Sequence, residues 1–129
     1  MLRKLFSRKQ PLTGAPETPR MKVYTASSGY VYHYFYEGRR QSRSASEYVF
    51  KLSADRARWR WAGIVMPDGA IAAWQSRNGR ELSSSERYAI AKLRLFEVFD
   101  ECAVPEAIPD AARVEEASID RVAETLGWE

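Results

Sequence analysis

Gly29-Tyr30-Val31-Tyr32-His33-Tyr34-Phe35-Tyr36-Glu37 alternates without interruption. In an extended chain Tyr30, Tyr32, Tyr34 and Tyr36 share one side, and Val31, His33 and Phe35 the other, because successive side chains of a strand point to opposite faces. Aromatic and β-branched residues favour a pleated, packed environment, and no helix of this composition would bring its four tyrosines together. The stretch therefore predicts a strand with two unlike faces.

Upstream, Ser27-Ser28-Gly29 reads as a turn and Lys22 to Thr25 as a short strand. Downstream, Gly38 to Ser46 carries turn residues and Arg39, Arg40 and Arg43 but no apolar anchor, which predicts a solvated hairpin loop. Glu47 to Leu52 is the next strand, with Tyr48, Phe50 and Leu52 on one side. After a turn at Ser53-Ala54-Asp55, Arg58 to Met66 sets Trp59, Trp61 and Val65 against Arg58, Arg60, Ala62, Ile64 and Met66. Strands joined by short loops make an antiparallel meander.

Pro67-Asp68-Gly69 opens either a fourth strand or a helix. Ala70, Ala72 and Ala73 are good helix formers and Asn78-Gly79 is a natural stop, so we read a helix from about Gly69 to Asn78. Ser83-Ser84-Ser85-Glu86 has the spacing of a capping box and starts a helix running to about Cys102. Its apolar arc is wider than the stripe of an ordinary surface helix, although Lys92 interrupts it and Ile90 falls on the polar side. Such a helix requires more than one neighbour. Beyond Pro105 and Pro109, Asp110 to Leu126 places Ala111, Val114, Val122 and Leu126 at helical spacing, with Gly127 as the stop and acidic residues on its other sides.

The expected fold class is thus α+β: an antiparallel three- to four-stranded meander packed against a long amphipathic helix, with one or two further helices. Residues 1–21 read as a basic, proline-rich flexible tail, and 22–104 as the core domain, with its sheet over 22–66 and helices at about 69–78 and 84–102. Residues 105–129 read as an acidic helical segment. Met21 is an alternative start. A length of 129 residues suffices for one domain with a sizeable core, and four Trp, seven Tyr and five Phe make that core bulky.

The formal charge of +3 conceals an asymmetry, since residues 1–60 sum to +9 and residues 61–129 to −6. The single cysteine, Cys102, cannot form an internal disulfide, and no signal peptide or apolar run of spanning length is present, which reads as cytoplasmic. Leu2, Leu5 and Phe6 lie within a basic stretch suited to a membrane surface, but it is short for that task.

Tyr48, Phe50 and Leu52 mark one core-facing side, and Trp59, Trp61 and Val65 a second. Val31 and Phe35 are wholly apolar, whereas a tyrosine can pack its ring and keep its hydroxyl in water, so Val31, His33 and Phe35 are expected inside. The outer face then carries Tyr30, Tyr32, Tyr34 and Tyr36 with Lys51, Arg58 and Arg60, extended by the Arg39, Arg40 and Arg43 loop. A one-residue change of register reverses the assignment and puts the tyrosines under the long helix, and the sequence leaves that alternative open.

A basic, aromatic face of this kind predicts a non-enzymatic module binding a protein partner or a second copy of itself. The alternative is a small nucleic-acid-binding protein, in which bases stack on the rings and arginines neutralise phosphates. No Lys/Arg-Gly-Phe/Tyr motif of RNA-binding type is present, and the acidic half can neutralise the basic half. His33, the single histidine, could centre an enzyme, but a histidine on an apolar strand side is more often a hydrogen-bonded core residue. Cys102 reads as a buried, inert thiol. Metal-ligand spacing, a phosphate-cradling glycine loop and a nucleophile elbow are absent, so no cofactor is expected.

Overall fold

A computed structural model describes residues 11–128. The basic segment with Leu2, Leu5 and Phe6 lies outside them. Among the described residues the fold is α+β: a five-stranded mixed sheet and three α-helices. The strands are β1 (Lys22–Thr25), β2 (Val31–Gln41), β3 (Ala45–Ser53), β4 (Arg60–Pro67) and β5 (Ala111–Arg113), in sheet order β1-β2-β3-β4-β5. The helices are α1 (Asp68–Asn78), α2 (Ser84–Glu101) and α3 (Glu116–Leu126), with a 3-10 turn at Pro105–Ala107 between α2 and β5.

The first four strands form the expected antiparallel meander, but β5 runs parallel to β4. The sheet is therefore wider than expected and not strictly antiparallel. Ala111–Arg113 had been read as helix, from the spacing of Ala111 and Val114. Three residues do pair with β4, and only Glu116–Leu126 is helical. Helix spacing over so few residues does not distinguish the two states once an open sheet edge offers hydrogen bonds.

Each helix end follows local chemistry. Gly79 and Gly127 take left-handed conformations at φ 64° and 72°, where a side chain would be strained, and both stop their helices. The Ser83 hydroxyl accepts from the Glu86 amide while the Glu86 carboxylate accepts from the Ser83 amide, completing the expected capping box.

The predicted loop over Gly38–Ser46 is mostly strand. β2 continues to Gln41 through a bulge between Tyr36 and Gly38, and only residues 42–44 turn. The extra residue, Glu37, inverts the alternation: before it the even-numbered residues face the helices, and after it Arg39 and Gln41 do. Gly38 has φ 124°, and a Cβ there would meet the Thr13 carbonyl oxygen at 2.8 Å, because residues 12–13 run against this edge and Thr13 pairs with Arg39.

The facing of the sheet corrects the expectation made from Val31 and Phe35. Tyr32 and Tyr34 are buried beneath α2, while Val31 is exposed and His33 and Phe35 are half-buried on the other side. The reason lies in α2, whose own aromatic residues meet the tyrosine rings. Tyr32 stacks on Phe99 with centroids 4.3 Å apart, Tyr24 on Phe96 at 4.1 Å, and Tyr36 leans on Tyr88 at 4.8 Å. Ring burial contributes about 1.5–3 kcal/mol per side chain, and stacked pairs add about 0.5–1.5 kcal/mol, enough to offset desolvating a phenol.

β4 is corrected in the same way. Its register pairs Phe50 with Ala62 and Tyr48 with Ile64, so Ala62, Ile64 and Met66 join the core and Trp61 and Val65 point away from it. The Trp59, Trp61 and Val65 side is therefore the outer one. Ile90, assigned to the polar side of its helix, is fully buried because α2 is covered by α3 as well as by the sheet. Helix α3 closes the core with Ile119 and Val122, and Arg77 of α1 bonds Glu116 at 2.5 Å and Asp120 at 3.2 Å. The acidic segment thus docks on the helices and the β4 edge.

Candidate functional site

The expected platform of tyrosines and cations does not exist as one surface. Tyr32 and Tyr34 lie in the core, Tyr36 is half-buried beside Tyr48 and Tyr88, and only Tyr30, at the start of β2, is exposed. Lys51 is on the opposite side of the sheet. Arg39 follows the bulge onto the helix side, where its charge acts on the Tyr36 and Tyr48 phenols. Arg40 faces outward and bonds Glu47 at 2.9 Å. Arg43 is exposed at the hairpin tip, Arg58 is exposed in the β3–β4 loop beside Asp55 at 3.2 Å, and Arg60 bonds Asp110 at 2.7 Å.

What the sheet offers instead is its outer face. The three α-helices join the core on the inner side, and the outer side carries an apolar strip across four strands. Val23 of β1 lies opposite His33 of β2 in one row. Phe35, Lys51 and Trp61 form the next row across β2, β3 and β4. Trp59, just before β4, packs against Phe35 with centroids 5.4 Å apart, and the Lys51 ammonium lies 5.6 Å from its ring centre. Val23, Val31 and Trp61 are 54%, 39% and 53% exposed, a high share for large apolar side chains on one face of a sheet.

Beyond this strip a charged row begins. Arg40, Glu47, Val65 and Arg113 are neighbours in register across β2, β3, β4 and β5. The Glu47 side chain lies over Gly63, which has no Cβ to exclude it, and the Arg40–Glu47 pair is largely screened from solvent. Since Glu47 answers Arg40, Lys51 and Arg113 are cations on this side among the described residues.

Trp61, Val23, Val65 and Arg113 were not among the candidate residues. One signal could have found the first of these: Ala62, Ile64 and Met66 are uniformly apolar, whereas the Trp61 series contains Gly63, which makes the former the better core side.

His33 sits in the middle of the strip, half-buried, and its Nδ1 has no hydrogen-bond partner among the described residues. A cavity at the Tyr30 end of the sheet is lined by Ser53 and Trp59 but not by His33. Cys102, at the C-terminal cap of α2, is half-buried, and burial pushes its thiol pKa up, away from the reactive thiolate. Among the described residues no helix is long and apolar enough to cross a membrane, and no group of His, Cys, Asp or Glu is placed to hold a metal ion. Comparison with protein-family models, with curated proteins and with solved structures finds no match to this chain.

Proposed function

We propose that this chain is a non-enzymatic interaction module whose outer sheet face docks a protein partner, one that presents apolar side chains bordered by carboxylates. The observation that carries the reading is the strip of exposed Val23, Val31 and Trp61 with half-buried Phe35, on a sheet face that no helix among the described residues covers. Tryptophan is the residue type most enriched in interface hot spots, and Trp61 shares its face with exposed aliphatic side chains. Lys51 and Arg113 flank the strip with positive charge, and acidic groups on a partner complement them and guide encounter.

Protein is favoured over nucleic acid by two features. The other large apolar residues exposed on this face, Val23 and Val31, have no ring on which a base can stack. Arg40, whose guanidinium belongs to this face, bonds Glu47 of this chain and is a poorer phosphate ligand for it.

Affinity capture from the source cell, followed by reconstitution with the purified captured protein, tests the proposal. Trp61→Glu is expected to weaken binding about thirtyfold, as loss of a hot-spot tryptophan does, while Glu124→Ala on exposed α3 leaves it unchanged. Equal retention of every captured protein by wild type and Trp61→Glu overturns it. A dimeric mass in solution that Trp61→Glu returns to monomer identifies a second copy as the occupant instead. Quenching of tryptophan fluorescence by single-stranded oligonucleotides, with no Trp61-dependent protein, transfers the face to nucleic acid.

A further inference from the structure

We propose that the cavity at the Tyr30 end of the sheet is a binding site for a small zwitterion of the α-amino-acid class with an apolar side chain. The cavity measures about 550 Å³, within the range that encloses small ligands. It is framed by the start of β2, the end of β3, the loop into β4 and the 3-10 turn at Pro105.

Its chemistry divides by wall. Leu52, Trp59 and Pro105 supply an apolar lining, and the indole of Trp59 is held in place by donating to the Arg56 carbonyl at 3.3 Å. Arg60 brings a guanidinium group from the β4 side and Glu106 a carboxylate from the 3-10 turn, while the Arg58 guanidinium is bonded to Asp55 at 3.2 Å. Arg60 uses one terminal nitrogen on Asp110, whose side chain is 94% exposed, so that pair is weak and most of the guanidinium's donors are left over. Glu106 makes no ion pair among the described residues.

Asp55 also lines the cavity, but its charge is committed to its own loop. Its carboxylate accepts from the Ala57 and Arg58 amides at 2.9 Å each and from the Ser53 hydroxyl at 3.0 Å. These bonds, the Arg58 amide foremost, hold its pKa well below the usual carboxylate range. The groups left for a ligand are therefore cationic on one wall and anionic on the other. Such a pair matches a molecule carrying both charges better than a simple anion or cation.

Tyr32 supplies the third, independent feature. Its residue is 0% exposed and its ring is fixed against Phe99, yet its hydroxyl has no hydrogen-bond partner among the described residues. Tyr32 is among the residues that line the cavity, together with Tyr30 and Glu106. A buried hydroxyl without a partner is destabilising, and a ligand group able to bond it relieves that deficit. A carboxylate on Arg60, an ammonium on Glu106, the phenol of Tyr32 as a further polar contact and an apolar body on Leu52, Trp59 and Pro105 use these features together.

Thermal-shift and calorimetric titration of the intact protein with each free proteinogenic α-amino acid tests this. At least one with an aliphatic or aromatic side chain is expected to raise the melting temperature and bind. Arg60→Ala or Glu106→Gln should weaken that binding about tenfold, and Tyr32→Phe about fivefold. Tyr32→Phe should also raise the melting temperature of the ligand-free protein, since it deletes the unpartnered hydroxyl and keeps the stacked ring. No binding by any amino acid overturns the proposal. Equal binding of the N-acetylated ligand overturns the zwitterion assignment and leaves an anion site. Trp61→Glu should not alter this binding, so the outcome is independent of the outer-face reading.

Discussion

The Tyr24 hydroxyl donates a 2.7 Å hydrogen bond to the Asp100 carboxylate, fastening edge strand β1 to the last turn of α2. The same carboxylate accepts from the Ser27 amide at 2.9 Å, and the Ser27 hydroxyl donates to the Asp100 carbonyl at 3.1 Å. A four-residue edge strand has little pairing of its own, so this latch supplies much of what holds it.

Asp100→Ala should therefore destabilise the fold by about 1–2 kcal/mol, the worth of its charge-assisted bonds at a partly wet site. Chemical denaturation measures that loss, and amide hydrogen exchange should accelerate selectively over Lys22–Thr25. Tyr24→Phe should cost less, because the ring keeps its stack on Phe96. Uniform acceleration across the sheet would show that β1 is not held locally.

The phenols set an alkaline limit. Tyr24 is pushed up to about 12, chiefly by its hydrogen bond to Asp100, and Tyr34 and Tyr36 are pushed up to about 12 chiefly by burial. Each acid is weaker folded than unfolded, so its contribution is complete below pH 10 and is lost as pH climbs from there to about 12. On the alkaline side stability should be level from neutral pH to pH 10 and fall above it, with ultraviolet titration detecting phenolate in the unfolded chain first. Phenolate appearing at the same pH in native and denatured protein would refute the assignment.

Gly63 and Glu47 should behave as one unit. Gly63→Ala places a methyl group where the Glu47 side chain rests and displaces it from Arg40, with an expected loss of about 1–2 kcal/mol. In a Glu47→Ala background the same change should be neutral or stabilising, since alanine is the better residue within a strand once the space is open. A double-mutant cycle by urea denaturation reads the coupling, and additive losses would count against it.

The acid limb belongs in part to the α2 cap. Glu86 is pulled down to about 2 by its hydrogen bond with Arg80 first and the Ser83 amide second. A carboxylate more acidic in the fold than in the unfolded chain stabilises above its ordinary value of 4.5, and that contribution is lost as pH falls towards 2. Glu86→Gln should flatten this part of the pH–stability curve, and Ser83→Ala should lower stability by about 1 kcal/mol at neutral pH.

Local signals carried the elements. The β2 alternation, the capping box at Ser83, the Gly79 and Gly127 stops and the alanine-rich α1 were legible because each depends on residues a few positions apart. The bulge at Glu37 and the short β5 were not, since both exist to satisfy pairing with a distant strand. The candidate site suffered most. Lys51 was read correctly as an outer residue, yet the aromatic residues beside it are Phe35, Trp59 and Trp61 rather than the tyrosines.

Sequence by itself determined that Tyr30, Tyr32, Tyr34 and Tyr36 start on the face opposite Val31, His33 and Phe35, because a strand's period of two is a property of the backbone. Only the tertiary structure decided which face is inside. That choice rests on the aromatic side chains of α2, some 60 residues further along, whose ring contacts with Tyr24, Tyr32 and Tyr36 no local pattern in β2 encodes.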